Sequence, residues 1–203
     1  MPISIQHNPF ATRYTRPGEI PFQLSGNEDL NTIVDTFRDH CFLSQIVGPH
    51  GSGKTTLTQT LEPLLRETFC SVRRVTVRDA KRIQNDESEF PNPLDTTNRL
   101  MIVDGFERLP WLHRRLLLKF ARCQQMGLLI TTHRRIAGVP ILYEVQPTLE
   151  TLQRLSHELA PGVIIEKNLL ATIFETNEGN IRESLMTLYN WFESRQSTGC
   201  RPT

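Results

Sequence analysis

The stretch Phe42-Leu43-Ser44-Gln45-Ile46-Val47-Gly48-Pro49-His50-Gly51-Ser52-Gly53-Lys54-Thr55-Thr56 decides how the rest of the chain is read. Its first six residues form a short, mostly apolar run, the length of a buried strand. Gly48 to Thr55 then spell Gly-x-x-x-x-Gly-Lys-Thr, and the chain from Lys54 to Phe69 reads as a helix. Strand, glycine-rich loop and helix in that order are the setting in which such a loop cradles phosphate. Glycines let the backbone wrap so that several N–H groups converge on an anion, and the positive end of the following helix adds to that field. In this reading Gly48, Pro49, His50, Gly51, Ser52, Gly53, Lys54, Thr55 and Thr56 bind the nucleotide. Lys54 places a point charge at the β- and γ-phosphates. The Thr55 hydroxyl is a hard oxygen ligand for Mg²⁺. No Asn-Lys-x-Asp guanine-reading motif occurs in the chain, so ATP is the expected nucleotide.

Working outward from the loop, Val72–Val77 alternates apolar and basic residues and predicts a second strand near a sheet edge. Leu100–Val103 predicts a third, buried strand, Leu128–Thr132 a fourth and Ile141–Val145 a fifth. Helices are predicted over 27–39, 54–69 and 111–126. The second contains Pro63, expected to kink or shorten it. The third is expected to bury Leu112, Leu116, Phe120 and Cys123, to expose Arg115, Lys119 and Arg122, and to end at Gly127. Strands alternating with helices imply a parallel sheet covered on both faces, with its ligand edge at the strand C-termini. After Thr148 only helices are predicted, over 148–160, 166–176 and 180–194. Residues 79–98 read as a polar, Pro-containing loop with a short helix.

Composition is that of a globular chain: 38% hydrophobic and 22% charged residues leave enough apolar surface to bury a core. A net charge of +1 supplies no global field toward nucleic acid or membrane. The basic cluster Arg73, Arg74, Arg78, Lys81 and Arg82 reads first as a solvated edge strand, with a nucleic-acid contact, which the net charge does not support, as the alternative. Cys41, Cys70, Cys123 and Cys200 show no Cys-x-x-Cys pairing and read as reduced thiols. With no apolar run near the roughly 20 residues of a membrane-spanning helix and no signal-peptide pattern, a cytoplasmic location without membrane insertion is expected.

Two acids bear on the loop's chemistry. Asp104 closes the apolar run Leu100-Met101-Ile102-Val103, where a carboxylate can hold Mg²⁺ beside a phosphate loop. Thr55 and Asp104 are therefore the expected metal ligands. Hydrolysis also needs a group that orients water. Gly105 follows Asp104 where many ATPases carry Glu, and the first acid beyond it is Glu107. Glu107 reads either as that group, reached by a tight turn at Gly105, or as a solvated surface glutamate.

With these motifs in order, the chain resembles the AAA+ superfamily of P-loop ATPases over roughly residues 27–194. Leu128-Leu129-Ile130-Thr131-Thr132-His133 looks like a sensor-1 strand, with Thr132 as the γ-phosphate reader and Thr131 beside it. Gly179-Asn180-Ile181-Arg182-Glu183 looks like a sensor-2 motif, whose Arg182 would bend over the nucleotide. The same residues also make good local chemistry, with Asn180 as a helix N-cap and Gly179 closing the preceding helix. The resemblance implies the three-layer α/β/α P-loop NTPase fold: a five-stranded, mainly parallel sheet and a small C-terminal helical lid. It divides the chain into an N-terminal extended arm (1–26), a nucleotide-binding domain (27–147), a lid (148–196) and a flexible tail (197–203). Lys54, Asp104, Glu107 and Arg182 are the catalytic expectations. Arg134 and Arg135 are the candidates for an arginine finger donated to a neighbouring copy, which would imply a homo-oligomer; an unidentified protein partner is the alternative. The activity implied is Mg-dependent ATP hydrolysis coupled to lid movement. Two other readings stand beside it: a small-molecule kinase, and a non-hydrolysing ATP-dependent switch.

Overall fold

A computed structural model describes residues 7–24, 28–77 and 98–197. Within them the order is α1 (Thr12–Thr15), α2 (Leu30–Asp39), β1 (Leu43–Val47), α3 (Lys54–Thr68), β2 (Ser71–Thr76), β3 (Arg99–Asp104), a 3₁₀ turn (Phe106–Arg108), α4 (Trp111–Cys123), β4 (Gly127–Thr132), β5 (Ile141–Glu144), α5 (Leu149–Leu159), α6 (Lys167–Thr176) and α7 (Ile181–Ser197). The predicted loop over 79–98 lies almost wholly outside the described residues, as do Arg78, Lys81, Arg82 and Cys200.

The chain divides into two compact units. One comprises Leu24–Pro49 and Leu57–Val145 and carries the sheet. All its strand pairs are parallel, in the order β2-β3-β4-β1-β5. Every residue of β4 and four of the six in β3 are buried, so both faces of the sheet are covered. The β1-to-β2 connection through α3 crosses the sheet in one direction, and the β3-to-β4 connection through α4 crosses in the other. Right-handed crossovers put α3 and α4 on opposite faces, giving three α/β/α layers. Alternation along the strands agrees with this. Met101, Val103, Leu128 and Ile130 pack with Leu117 and Ala121 of α4. Their neighbours Leu100, Ile102 and Leu129 point to the other face. There a β-carbon on Gly127 would stand 2.9 Å from the Phe69 ring and 3.1 Å from Leu100. Phe69, Phe42 and Phe37 meet edge to face, with centroids 4.9 and 5.6 Å apart.

Three local expectations are corrected. Pro63 does not shorten α3, which runs 15 residues through it; Pro63 is exposed, where water can bond the freed carbonyl. Gly127 begins β4, and the turn after α4 instead uses Gln125 at φ 51°. The inner face of α4 carries Leu117 and Ala121, whereas Trp111, Leu112 and Leu116 are 64%, 54% and 54% exposed. In the sheet, β1 lies between β4 and β5.

The other unit comprises Met1–Gln23, His50–Thr56 and Gln146–Thr203. Its core joins Leu152, Leu170, Ile173, Leu185, Leu188 and Phe192 of α5–α7 to Phe10 of the N-terminal segment. Asn8 fixes that segment: its Nδ2 donates to the Tyr189 carbonyl and to Glu193 Oε1, both at 2.9 Å. Phe10 meets Phe192 edge to face. The N-terminal residues thus belong with the C-terminal helices.

Candidate functional site

At the C-terminal edge of the sheet, β3, β4 and β1 end in Asp104, Thr132 and Val47. Parallel register brings the three ends together. The Thr131 hydroxyl donates to Asp104 Oδ1 at 2.5 Å and accepts the Gly105 N–H at 3.0 Å. These bonds fix the carboxylate and the turn after it. Thr132 faces the opposite side of the sheet, its hydroxyl 3.4 Å from Gln45 Oε1. Of the two threonines, then, Thr131 is the one beside Asp104. Gln45 is 1% exposed. Its Nε2 donates to the carbonyls of Ile136 (2.9 Å) and Val139 (2.7 Å), and its Oε1 accepts the Ile136 N–H at 2.8 Å. One buried amide therefore holds the segment that joins β4 to β5.

Gly105 adopts φ 80°, and a β-carbon there would sit 3.1 Å from the Val77 carbonyl oxygen. Only glycine suits this left-handed position, so the acid cannot directly follow Asp104 without strain. The turn instead delivers Glu107 into the 3₁₀ segment. Glu107 Oε1 lies 2.9 Å from His133 Nε2. His133 Nδ1 lies 3.2 Å from the carbonyl oxygen of Gly48, the first residue of the loop. Glu107 Oε2 is buried and meets no hydrogen-bonding partner among the described residues. Neither His133 nor this chain of contacts was visible in the sequence, since the three residues lie 26 and 85 positions apart. Arg135 pairs with Glu144 at 2.8 Å, while Arg134 is exposed. In β2, Arg74 pairs with Glu62 of α3 at 2.6 Å, tying part of the basic cluster into packing.

The loop leaves β1 at Gly48, which is buried; Pro49 and His50 are exposed. Gly51 and Gly53 take φ 67° and 100°. Ser52 is buried and its Oγ has no hydrogen-bonding partner among the described residues. Lys54, the first residue of α3, is 8% exposed; Thr55 and Thr56 follow it, half-buried. A β-carbon on Gly51 would stand 1.8 Å from Asn180 Oδ1, and one on Gly53 would stand 3.2 Å from the Phe22 ring. Asn180 is the N-cap of α7, its Oδ1 accepting the Glu183 N–H at 3.2 Å. Gly179 at φ 75° closes α6 by donating to the Phe174 carbonyl at 2.9 Å. Arg182, in the first turn of α7, is exposed.

No group of three or more His, Cys, Asp or Glu among the described residues could hold a metal. Mg²⁺ does not require one: beside phosphates it takes one or two protein oxygens and fills its octahedron with phosphate and water. A carboxylate such as that of Asp104, held by the Thr131 hydroxyl, is an oxygen donor of the kind that ion takes. Cys41, Cys70 and Cys123 are free and exposed. No helix among the described residues is long and apolar enough to cross a membrane.

No protein-family model matches the chain, and no curated protein matches it in sequence. Among solved structures it is similar to that of PCH-2 from C. elegans, at 13% identity over 83% of this chain and 68% of that one, with a TM-score of 0.38.

Proposed function

We propose that this chain binds ATP with Mg²⁺ through Gly48–Thr55 and hydrolyses it, as a small ATPase of the AAA+ type. The observation that carries the reading is the loop that leads into α3. Lys54, the first residue of that helix, is 8% exposed, and the N-terminal end of a helix favours an anion. Two glycines in left-handed conformation immediately before it suit a loop that turns its N–H groups inward. The residues are therefore those of a triphosphate cradle.

In this reading the loop amides and Lys54 hold the β- and γ-phosphates, and Thr55 and Asp104 hold Mg²⁺, which when bound neutralises charge developing on the phosphates. Thr131 fixes the Asp104 carboxylate for that task. Thr132 and Arg182 respond to nucleotide state, and movement of α7 carries the response, a population shift driven by phosphate contacts. Arg134, exposed where Arg135 is paired, is the better candidate for an arginine given to a neighbouring copy.

Equilibrium binding of a fluorescent ATP analogue with Mg²⁺ tests the proposal. Lys54→Ala should weaken binding by about 10–100-fold, the worth of roughly 1.5–3 kcal/mol for hydrogen bonds to a charged group. Equal binding by native chain and variant, with matched thermal melts, refutes it.

A further inference from the structure

We propose that His133 is the positioning residue for Glu107, holding one carboxylate oxygen so that the other is presented to the attacking water. This rests on the ATPase reading above and adds to it the residue that aims the acid.

The contacts form a chain. The Gly48 carbonyl oxygen can only accept, so the His133 Nδ1, 3.2 Å away, carries a proton and donates. With Nδ1 committed as a donor, the 2.9 Å contact of the ring's other nitrogen with Glu107 Oε1 is a hydrogen bond when that nitrogen is protonated too, as an imidazolium donating to the carboxylate. The bond to Gly48 fixes the plane of the ring, and so the side of Glu107 that the ring occupies. Glu107 Oε2 remains. It is buried and has no hydrogen-bonding partner among the described residues. A buried carboxylate oxygen left without a donor is costly, and such atoms are usually met by water or a ligand. Glu107 reaches this position because Gly105, at φ 80°, starts the 3₁₀ turn that carries it. His133 follows β4 directly, and the Gly48 N–H donates to the Thr132 carbonyl at 3.2 Å. The dyad is thus tied to the first residue of the phosphate loop by backbone as well as side chain.

The step it serves balances as follows. The water oxygen forms a bond to the γ-phosphorus. The bond from that phosphorus to the β–γ bridging oxygen breaks, its electron pair leaving with ADP. The water's proton passes to Glu107 Oε2 and from there to the released phosphate. Glu107 touches the reacting water; His133 acts through Glu107.

Steady-state ATPase kinetics on the full chain, with nucleotide affinity measured alongside, test the assignment. Glu107→Gln should lower kcat by about 10²–10⁴-fold while leaving nucleotide affinity within about twofold. His133→Gln keeps a donor where Nε2 stands and should retain kcat within about fivefold. His133→Asn keeps a donor only where Nδ1 stands, preserves the Gly48 bond, and should lose kcat by about 10-fold or more with affinity unchanged. A merely structural role would make the Gln and Asn variants fall together, or make affinity fall with kcat; either result overturns the proposal, as does a Glu107→Gln variant that turns over like the native chain. A native chain that binds ATP without turnover overturns it too, while leaving the binding site standing. A native chain that fails to bind ATP overturns the ATPase reading itself.

Discussion

Replacing Gly51 by Ala gives the sharpest test of the loop's geometry, because two separate effects have separate sizes. At φ 67° an alanine sits in the left-handed region, which costs roughly 1–2 kcal/mol for a residue with a β-carbon. That β-carbon would also lie 1.8 Å from Asn180 Oδ1, 2.6 Å from its Cγ and 3.0 Å from its Nδ2. The amide must swing away. It is the end of a flexible side chain, but it caps α7 through the Glu183 N–H at 3.2 Å, so moving it removes a cap worth about 1 kcal/mol. Gly51→Ala should therefore destabilise by about 2–3 kcal/mol, and Asn180→Ala alone by about 1 kcal/mol. Once Asn180 is gone the collision is gone, and the cap can be lost only once. The double variant should cost little more than Gly51→Ala by itself, short of additivity by about 1 kcal/mol. Urea unfolding without nucleotide, followed by the fluorescence of Trp191 on α7, measures all four corners of the cycle. Strict additivity, or a Gly51→Ala variant as stable as the native chain, refutes the contact.

Other outcomes follow from buried and exposed groups. Gln45→Ala strands the Ile136 N–H and the carbonyls of Ile136 and Val139, so it should cost about 2–4 kcal/mol, with faster proteolysis within residues 134–139; an unchanged urea midpoint contradicts this. Trp111→Ser and Leu112→Ser, at positions 64% and 54% exposed, should each shift stability by no more than about 0.5 kcal/mol, and a loss above 1 kcal/mol would show that α4 buries them.

Most of the fold was legible because the strands are short apolar runs and the helices repeat at their own period. Leu43–Val47, Arg99–Asp104 and Gly127–Thr132 each lie within a residue or two of the expected bounds. The face of α4 was not legible. Its sequence carries two apolar stripes, one through Leu117 and Ala121 and another through Leu112 and Leu116, and periodicity alone does not say which meets the sheet. At the candidate site, the loop and Asp104 announce themselves by spacing. The dyad of His133 and Glu107, the preference of Asp104 for Thr131 over Thr132, and the seat of Asn180 against Gly51 come from contacts between distant segments. No local pattern encodes such contacts. Strand order is likewise a property of crossovers, and no local pattern announced that β1 would lie between β4 and β5.

The backbone at Gly105 has a consequence for anyone redesigning this chain. With φ at 80° and the Val77 carbonyl 3.1 Å from any added β-carbon, grafting a glutamate there, to imitate ATPases that carry one after the aspartate, would bend the turn before it altered the chemistry. Under the proposed ATPase reading, changes meant to alter turnover belong at positions 107 and 133, where side chains can be exchanged while the main chain keeps its path.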